Sequence, residues 1–489
     1  MIDDQAIKLF ELLLCKIDCL LSEIEVGEVS SADCDVAGVG LFELAERAFA
    51  SLHSNTMADE VPMEDAQRVF STFTNPAETQ STVIVGAGII GCATAYYLSH
   101  SGHTKPDTIH LVEASPEMFA SASGKSAGFC ASDWFGPATA SLGALSFKLH
   151  KELAEENNGK ERWGYSRSTG TSLTEGSQQS GSTGYDWLRE GGSRADAAGV
   201  HKFAGDNEGP AWLRRRQGDS LELISEDDSV AQVDPLRLSQ FLLRQSLLKG
   251  VRLHQPVRPI KVSKDHDGEM SALRVRHESG ADHKIPCTRL LITAGAWTGK
   301  VFDDLFPYAK VDLGVSQLAG HSVVVKSPRW TQEHEAQGCH ALFTTMRAGF
   351  SPEIFSRIGG EIYVAGLNDP SLPLPDSPTD AKIDQASIDE LKAVSEKLLG
   401  NDGTDVSDLQ VVREGLCFRP ITTRGTPLLT RIPDERLGGI ETRMAPEGGV
   451  FVSAGHGPWG ISHSLGTGKV MAEMIEGTNL SADTSRLGI

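Results

Sequence analysis

The stretch TVIVGAGIIG, residues 82–91, decides how this chain folds. Its first four residues are apolar or β-branched, which is typical of a short buried strand. The glycines follow in the spacing GxGxxG and open a helix that we expect to run to His100. In such a turn Gly86 permits the tight bend, Gly88 lets a pyrophosphate approach the backbone, and Gly91 lets helix and strand pack closely. The free N–H groups at the helix start then hold the phosphates, so the stretch predicts dinucleotide binding.

A second strand completes a βαβ unit around this turn. Residues 108–112 are TIHLV, and Glu113 follows them. An acid at this point can accept hydrogen bonds from ribose hydroxyls. A glycine turn without a ligand is the alternative, but strand, glycines, helix, strand and acid together favour a bound dinucleotide. The fingerprint is shared by FAD and NAD proteins and does not distinguish between them.

Composition limits the classes of function. The formal net charge is -21, from 66 acidic and 45 basic side chains, so the surface repels nucleic acid and anionic lipid. The 8 cysteines include no CxxC pair, which disfavours a structural zinc site and indicates a reducing, cytoplasmic setting. No run reaches ~18 apolar residues, so we expect no membrane span. We expect no bound metal either.

Two segments depart from the regular α/β pattern. Residues 157–220 are rich in Gly, Ser, Asn and Gln without periodicity, which predicts a mobile loop or insertion. Residues 1–78 look like a helical N-terminal extension, because apolar side chains recur there every three or four positions. Such a helix packs on the main body, on a copy of itself or on a protein partner, and the sequence leaves these open. The recurring positions are Ile7, Phe10, Leu13, Ile17, Leu20 and Ile24.

Three later segments favour FAD over NAD. ASASGKSAGF, residues 120–129, has small and hydroxylated side chains that let the backbone approach a bulky ring system. LLITAGAW, residues 290–297, is a strand that ends in a tight turn. SAGHGPWGI, residues 453–461, leads into the last helix, whose positive N-terminus can stabilise negative charge on a reduced flavin. The respective alternatives are a flexible loop, an ordinary core strand and a capping turn.

With these segments, and with AQVDPLRL, CFRPITTRGTP and GTGK, the chain resembles the D-amino acid oxidase superfamily. This superfamily includes glycine oxidase and sarcosine oxidase, and within it the likeness is to fungal cytosolic FAD-dependent oxidoreductases. The resemblance extends over residues 81–489. It implies an α/β fold, in which a Rossmann-like FAD-binding domain is interleaved with an α+β substrate domain that has a mixed sheet. The expected FAD-binding domain is 81–135, 225–305 and 410–489, and the expected substrate domain is 136–224 and 306–409.

The resemblance also implies which residues lie against FAD. They come from the glycine turn, from the strand ends and from the later segments. The expected FAD-binding residues are Gly86, Gly88, Ile89, Ile90, Gly91, Glu113, Ala114, Ser121, Ser123, Gly124, Lys125, Ser126, Val257, Ala294, Gly295, Trp297, Gly455, Gly457, Trp459, Gly460 and Ile461.

The activity implied by the resemblance is oxidation of a C–N bond in an amine or amino acid. A hydride moves from carbon to flavin N5, and oxygen or another acceptor reoxidises the flavin. Arg419 stands where amino-acid oxidases bind the substrate carboxylate, a task that suits a guanidinium, and an internal salt bridge is its alternative. Cys417 stands where sarcosine oxidases carry covalent flavin, but the adjoining FRP resembles non-covalent members, so we expect a free cysteine. His456 is expected to have a positional role rather than to act as a base.

Two other functions are compatible with the sequence. One is a regulatory or interaction flavoprotein that keeps FAD for structure and docks partners through the extension and the insertion. The other is an NAD(P)-dependent dehydrogenase, in which the C-terminal glycine-rich segment would have no clear role.

Overall fold

The computed structural model describes residues 80–176, 188, 192–200, 209–225, 228–346, 349–401 and 408–489. The chain from Thr79 to Ile489 forms one unit. The helix predicted within residues 1–78 and the Ser/Gly-rich run 177–184 lie outside the described residues, so both stay predictions. In the part of the chain that is described, no helix is both long enough and apolar enough to cross a bilayer.

A six-stranded sheet forms around the fingerprint strand. In spatial order it contains β17 (Leu428–Ile432), β18 (Gly449–Ala454), β11 (Arg289–Ile292), β1 (Thr82–Val85), β2 (Ile109–Val112) and β7 (Arg252–His254). All neighbours are parallel except β17, which is antiparallel to β18. Every residue of β1, β2 and β11 is buried, which explains why these strands are nearly continuous apolar runs. Val85 is in register with both Val112 and Ile292, so the three strands end at one edge.

The second sheet has nine strands. They are β16 (Gln410–Thr422), β12 (Val315–Lys326), β15 (Glu361–Asp369), β14 (Glu353–Arg357), β13 (Cys339–Thr345), β4 (Ser166–Thr174), β6 (Val230–Gln232) and β3 (Phe129–Ala131), with β5 (Ser220–Ser225) beside β4. The sheet is mixed, because β13 and β4 are parallel while the other pairs are antiparallel. The predicted α/β class with a mixed second sheet is confirmed.

The remaining elements connect and cover these layers. A three-stranded sheet contains β8 (Val257–Lys264), β9 (Met270–His277) and β10 (Asp282–Pro286). The α-helices are α1 (Ile89–His100), α2 (Ala122–Lys125), α3 (Ala140–Glu156), α4 (Gly159–Trp163), α5 (Arg194–Ala198), α6 (Pro235–Leu248), α7 (Thr298–Leu305), α8 (Gln332–Gln337), α9 (Gln385–Leu399) and α10 (Gly460–Glu476).

Two apolar cores lie on opposite faces of the six-stranded sheet. On one face Ile84 and Leu291 pack with buried side chains of α1, α3, α6 and α10. On the other face Val83 packs with α7 and with the three-stranded sheet. Helix α6 begins with a capped first turn, since the Asp234 carboxylate accepts a hydrogen bond from the N–H of Arg237 and Pro235 opens the helix. Helix and sheet therefore hold the end of β1 rigidly at the edge where the site lies.

The strand β4 corrects our prediction of a loop throughout residues 157–220. Its sequence, SRSTGTSLT, has no apolar alternation. The strand forms because it pairs with β13, from Ser168 opposite Cys339 to Thr174 opposite Thr345, and with β5 on its other side. The partner strand β13 lies about 170 residues further along the chain, so no local sequence pattern predicts β4 as a strand. Within the same range, α4 also forms around the fully buried Trp163.

Candidate functional site

A deep cleft opens at the edge where β1, β2 and β11 end. It is lined by the glycine turn, by the loop 120–129, by residues 293–297 and by the turn at 456–461. The cleft encloses about 1830 Å³ of empty space, its open mouth included. Its lining reaches from the glycine turn to residues 417–420 of β16, so the expected cofactor residues and Arg419 lie in one cleft. The glycine turn at 86–91 and the turn at 456–461 were both expected to lie against FAD. They line one cleft, although they are distant in the chain.

Close packing requires glycine at positions 86 and 91 and leaves little room for a side chain at position 88. Gly86 has φ +100°, and a Cβ there would lie 2.6 Å from the carbonyl oxygen of Thr293. At Gly88 a Cβ would meet the Ser123 hydroxyl at 3.0 Å. At Gly91 it would lie 2.1 Å from the Gly86 carbonyl oxygen, so Gly91 acts behind the cleft rather than in its wall. The turn and helix can approach this closely only without side chains.

The start of α1 lies in the wall of the cleft. Its N-cap residue, Gly88, supplies no side-chain cap, and Ile89 N–H donates to the Ser123 hydroxyl over 2.9 Å. Ile89 and Ile90 line the cleft. A helix start whose own N-cap residue supplies no side chain, beside glycine backbone, is a suitable place for a pyrophosphate. The donor set therefore fits the phosphates of a dinucleotide.

Glu113 lies at the end of β2, as the sequence predicts, and lines the cleft with Ala114. Its carboxylate accepts hydrogen bonds from Ala87 N–H over 3.0 Å and from Ser115 N–H over 2.8 Å. Burial raises the pKa of this carboxyl, and the N–H donors oppose the shift. Val257 N–H donates to the Glu113 carbonyl oxygen over 2.8 Å, which holds the strand end although Val257 itself is not in the cleft wall.

The loop 120–129 closes one side of the cleft. Ser121, Ser123 and Ser126 line it, whereas Gly124 and Lys125 do not. A Cβ at Gly124 would lie 2.4 Å from the Phe119 carbonyl oxygen, which explains the glycine by packing. Lys125 is half-buried, and this burial lowers the pKa of its ammonium.

The loop 120–129 is also fixed to the second sheet. Arg357 of β14 donates to the carbonyl oxygen of Ala127 over 2.8 Å. The Ser121 hydroxyl accepts a hydrogen bond from Phe418 N–H of β16 over 3.3 Å. The cleft therefore has walls from both sheets.

Another part of the wall is formed by the turn before α10 and by the residues that follow β11. Of the latter, Ala294, Gly295 and Trp297 line the cleft. Gly457, Gly460 and Ile461 line the cleft directly, whereas Gly455 and Trp459 do not. Gly455 has φ +81°, and a Cβ there would lie 2.3 Å from Thr422 Cγ2, so its role is to shape the turn.

His456 lies in the cleft wall and is buried. Its Nε2 is 3.1 Å from the Thr467 hydroxyl. Burial lowers the pKa of His456 to about 4, so the imidazole is neutral at pH 7. A neutral, hydrogen-bonded imidazole at this point suits positioning.

Arg419 reaches the cleft from β16. Its Nη1 donates to the Asn368 side-chain oxygen over 2.6 Å. Gly320 on the neighbouring strand makes room for the guanidinium, because a Cβ there would lie 1.9 Å from Nη1. Cys417 and Tyr363 line the same part of the cleft. Burial raises the pKa of Tyr363, with a smaller contribution from Cys417.

Several cleft residues were not predicted from the sequence. Arg194 and Glu353 form an ion pair in the wall, and Lys300 at the mouth pairs with Asp376 over 2.6 Å. Tyr363 could have been noticed as the polar member of the apolar strand run IYV, residues 362–364. No sequence pattern indicates a role for Arg194, because it lies in the range that we predicted to be a loop.

Comparison with known proteins identifies the family. A family model described as FAD dependent oxidoreductase matches residues 81–474. The chain belongs to this family. It is an FAD-dependent oxidoreductase, and the predicted resemblance is confirmed. A provisionally named oxidoreductase of Schizosaccharomyces pombe is 27% identical over 435 residues, which cover 84% of this chain and 98% of the relative. A second one, from Saccharomyces cerevisiae, is 24% identical and covers 83% and 93%, respectively.

Solved structures share the fold of this oxidoreductase. Glycine oxidase from Geobacillus kaustophilus superimposes with a TM-score of 0.60 at 20% identity, covering 84% of this chain and 98% of that one. L-proline dehydrogenase from P. horikoshii gives a TM-score of 0.62 at 13% identity, covering 84% and 97%. The glycine cradle, the start of α1 and the buried acid after β2 fit the dinucleotide that the family description names.

Proposed function

We propose that this oxidoreductase oxidises a C–N bond of an amine or amino acid. One observation carries the proposal: a single cleft extends from the dinucleotide-type turn to the guanidinium of Arg419. Bound FAD would supply the hydride acceptor, flavin N5, and oxygen or another acceptor would take the electrons afterwards. Structural neighbours with this fold include proteins named glycine oxidase, iminodiacetate oxidase and L-amino acid deaminase, which supports the substrate class.

The predicted cofactor contacts divide into direct and supporting ones. We propose that the N–H groups near Gly88 hold the pyrophosphate, that Glu113 accepts the ribose hydroxyls, and that the start of α10 faces the flavin pyrimidine ring. The predicted residues in the cleft wall take the direct role. The supporting residues, which shape the cleft from behind, are Gly91, Gly124, Lys125, Val257, Gly455 and Trp459.

Arg419 is proposed to bind the substrate carboxylate. One of its nitrogens donates to Asn368, and that bond orients the guanidinium without neutralising its charge. A charged fork held in this way can pair with a carboxylate through two parallel hydrogen bonds. Tyr363 lines the same cleft.

The chain's own residues align the amine rather than take its proton. With its pKa lowered to about 4, His456 is a weak base, and its Nε2 is already near the Thr467 hydroxyl. The reacting amine therefore has to bind unprotonated, and the remaining contribution to the rate comes from its alignment.

We propose that Cys417 stays free and that FAD is not covalently bound. The domain boundaries and the cytoplasmic setting given above stay predictions.

Anaerobic substrate screening tests the proposed function. We expect the purified protein to be yellow with FAD, and we expect its flavin absorbance to bleach when the right amine or amino acid is added. Denaturation with acid should release all the flavin into the supernatant if Cys417 is free. A colourless protein after FAD is supplied, or a flavin that no member of a broad amine and amino-acid panel reduces, would contradict the proposal.

Replacing Glu113 with glutamine is expected to weaken FAD binding about tenfold or more, because a hydrogen bond to a charged group contributes ~1.5–3 kcal/mol. The amide also turns an NH₂ group towards one of the two N–H donors that the carboxylate now accepts. Titration of apoprotein with FAD, followed by flavin fluorescence, measures the change. Glu155→Gln, on the exposed surface of α3, is the matched control. Equal FAD affinity in both variants would remove Glu113 from the cofactor site.

A further inference from the structure

We propose that the buried pair of Arg194 and Glu353 is a positioning device for the cofactor site. The pair fixes the turn at 457–459, and through it the start of α10, against the cleft. The inference rests on the proposed placement of FAD in this cleft. Arg194 would be a positioning residue, since it acts through the turn and not on substrate.

The pair has the geometry of a two-bond fork. Arg194 Nε donates to one Glu353 carboxylate oxygen over 2.8 Å, and Nη2 donates to the other over 2.7 Å. Only 5% of the Arg194 side chain and 14% of the Glu353 side chain are exposed. Both residues line the cleft. Because two parallel bonds fix the guanidinium plane, the pair is a rigid link between α5 and β14.

The Arg194 guanidinium also contacts the turn at 457–459. Nη1 donates to the Pro458 carbonyl oxygen over 3.2 Å. The guanidinium carbon also lies 4.8 Å from the centre of the Trp459 ring, a cation–π distance. On another side the same ring packs edge-on against Phe135, with 4.9 Å between centroids. The turn is thus held between an arginine and an aromatic ring.

Helix α10 begins directly after this turn. Its N-cap residue, Trp459, supplies no side-chain cap, and Gly457, Pro458 and Gly460 line the cleft. Free N–H groups at a helix start stabilise negative charge, and the effect falls off within the first turn. A small displacement of Pro458 would therefore change how well the helix start faces a reduced, negatively charged cofactor.

A substrate-binding role is disfavoured by the same contacts. Each Glu353 oxygen already accepts from Arg194, and three N–H groups of Arg194 are donated within the protein. The ion pair carries no net charge towards the cleft. A group that binds substrate would keep more of its hydrogen-bonding capacity free. Within the described ranges, Arg419 donates one side-chain hydrogen bond, from Nη1 to Asn368.

Variants can separate stability from positioning. Arg194→Ala leaves a buried carboxylate and Glu353→Ala leaves a buried guanidinium, and both losses should destabilise the fold. The double variant Arg194→Met with Glu353→Leu removes both charges at similar volume, and such replacements of buried pairs are often neutral for stability. Arg194→Lys keeps the charge but loses the fork. Arg276→Met breaks the exposed two-bond pair with Asp282 and is the matched control.

We expect the single alanine variants to shift the equilibrium for flavin reduction in opposite directions, at least threefold each. A lone carboxylate disfavours the reduced cofactor, and a lone guanidinium favours it. The double variant should melt near the wild-type temperature, with kcat about tenfold lower, KM changed less than threefold and an altered flavin spectrum. The expected rates follow from misalignment, for which losses of up to ~100-fold are known. The lysine variant should resemble the double variant in kcat.

Hydrogen exchange at residues 457–462 is measured on the same variants without added cofactor. Exchange at least tenfold faster in the double variant is expected, with no change in Arg276→Met. Unchanged protection there, or a double variant with wild-type kcat and spectrum, overturns the positioning role. A rise in KM alone would instead assign the pair to substrate. If the wild type fails to oxidise any amine, the proposed function fails, while the exchange result still decides whether the pair fixes the turn.

Discussion

Replacing Gly91 with alanine should abolish FAD binding and lower the free energy of unfolding by about 3 kcal/mol or more. The new Cβ would lie 2.1 Å from the Gly86 carbonyl oxygen and 2.8 Å from the Thr293 hydroxyl. The first of these atoms is backbone of the turn that follows β1, so relief of the clash requires α1 to move away from the sheet. That motion displaces the N–H groups proposed to hold the pyrophosphate. Urea unfolding measures the stability, and FAD titration measures the binding.

Gly136→Ala is the matched control for this substitution. A Cβ at Gly136 would meet no atom within 4 Å. The variant should unfold within ~0.5 kcal/mol of the wild type, as surface substitutions usually do, and should bind FAD normally. If Gly91→Ala behaved like this control, the close packing of α1 on β1 would not be what shapes the site.

The cofactor half of the cleft could be predicted from the sequence because its geometry is local. TVIVGAGIIG encodes strand, turn and helix within ten consecutive residues, and a Cβ at Gly91 would meet the carbonyl oxygen of Gly86 within the same turn. Glu113 follows from the length of the βαβ unit. Between Gly91 and Gly86 the physical constraint lies within the motif, so the motif predicts the turn. Thr293 and Ser123, which also pack against the glycines, become their neighbours only in the folded chain.

The substrate half depends on pairings between distant segments, which no local pattern reveals. β4 is a strand because β13 lies beside it, although its own sequence favours a loop. Arg194 meets Glu353 across 159 positions and Pro458 across 264. Even Arg419 was identified through a motif, whereas its room beside Gly320 and its bond to Asn368 appear only in three dimensions.

Cofactor binding and substrate choice depend on different parts of the cleft. The proposed cofactor contacts come from backbone N–H groups and one acid, which belong to the fingerprint and the strand that follows it. The groups proposed to distinguish substrates come from β15 and β16, where Tyr363 and Arg419 line the cleft. Substrate choice should therefore respond to changes on these strands while FAD affinity stays constant.

Replacing Arg419 with methionine should lower kcat/KM for an amino-acid substrate about 100-fold, which corresponds to about 2.8 kcal/mol. The loss arises because a carboxylate would then be desolvated without its paired cation. The corresponding amine without a carboxylate should be oxidised as before, since it has nothing to pair with the guanidinium. Steady-state kinetics with both substrates measure this difference. Arg424→Met, on the exposed turn after β16, is the matched control.

Gly320→Ala tests the same guanidinium without removing its charge. The added Cβ would lie 1.9 Å from Arg419 Nη1 and 2.9 Å from Nη2, and these atoms end a flexible side chain that can move aside. Folding stability should change little, while kcat/KM for the amino acid falls about tenfold because a displaced fork loses its second hydrogen bond. If Arg419→Met impaired amino acid and amine equally, the residue would act only as the internal partner of Asn368. A normal Gly320→Ala enzyme beside an impaired Arg419→Met enzyme would mean that substrate binds the arginine in another orientation.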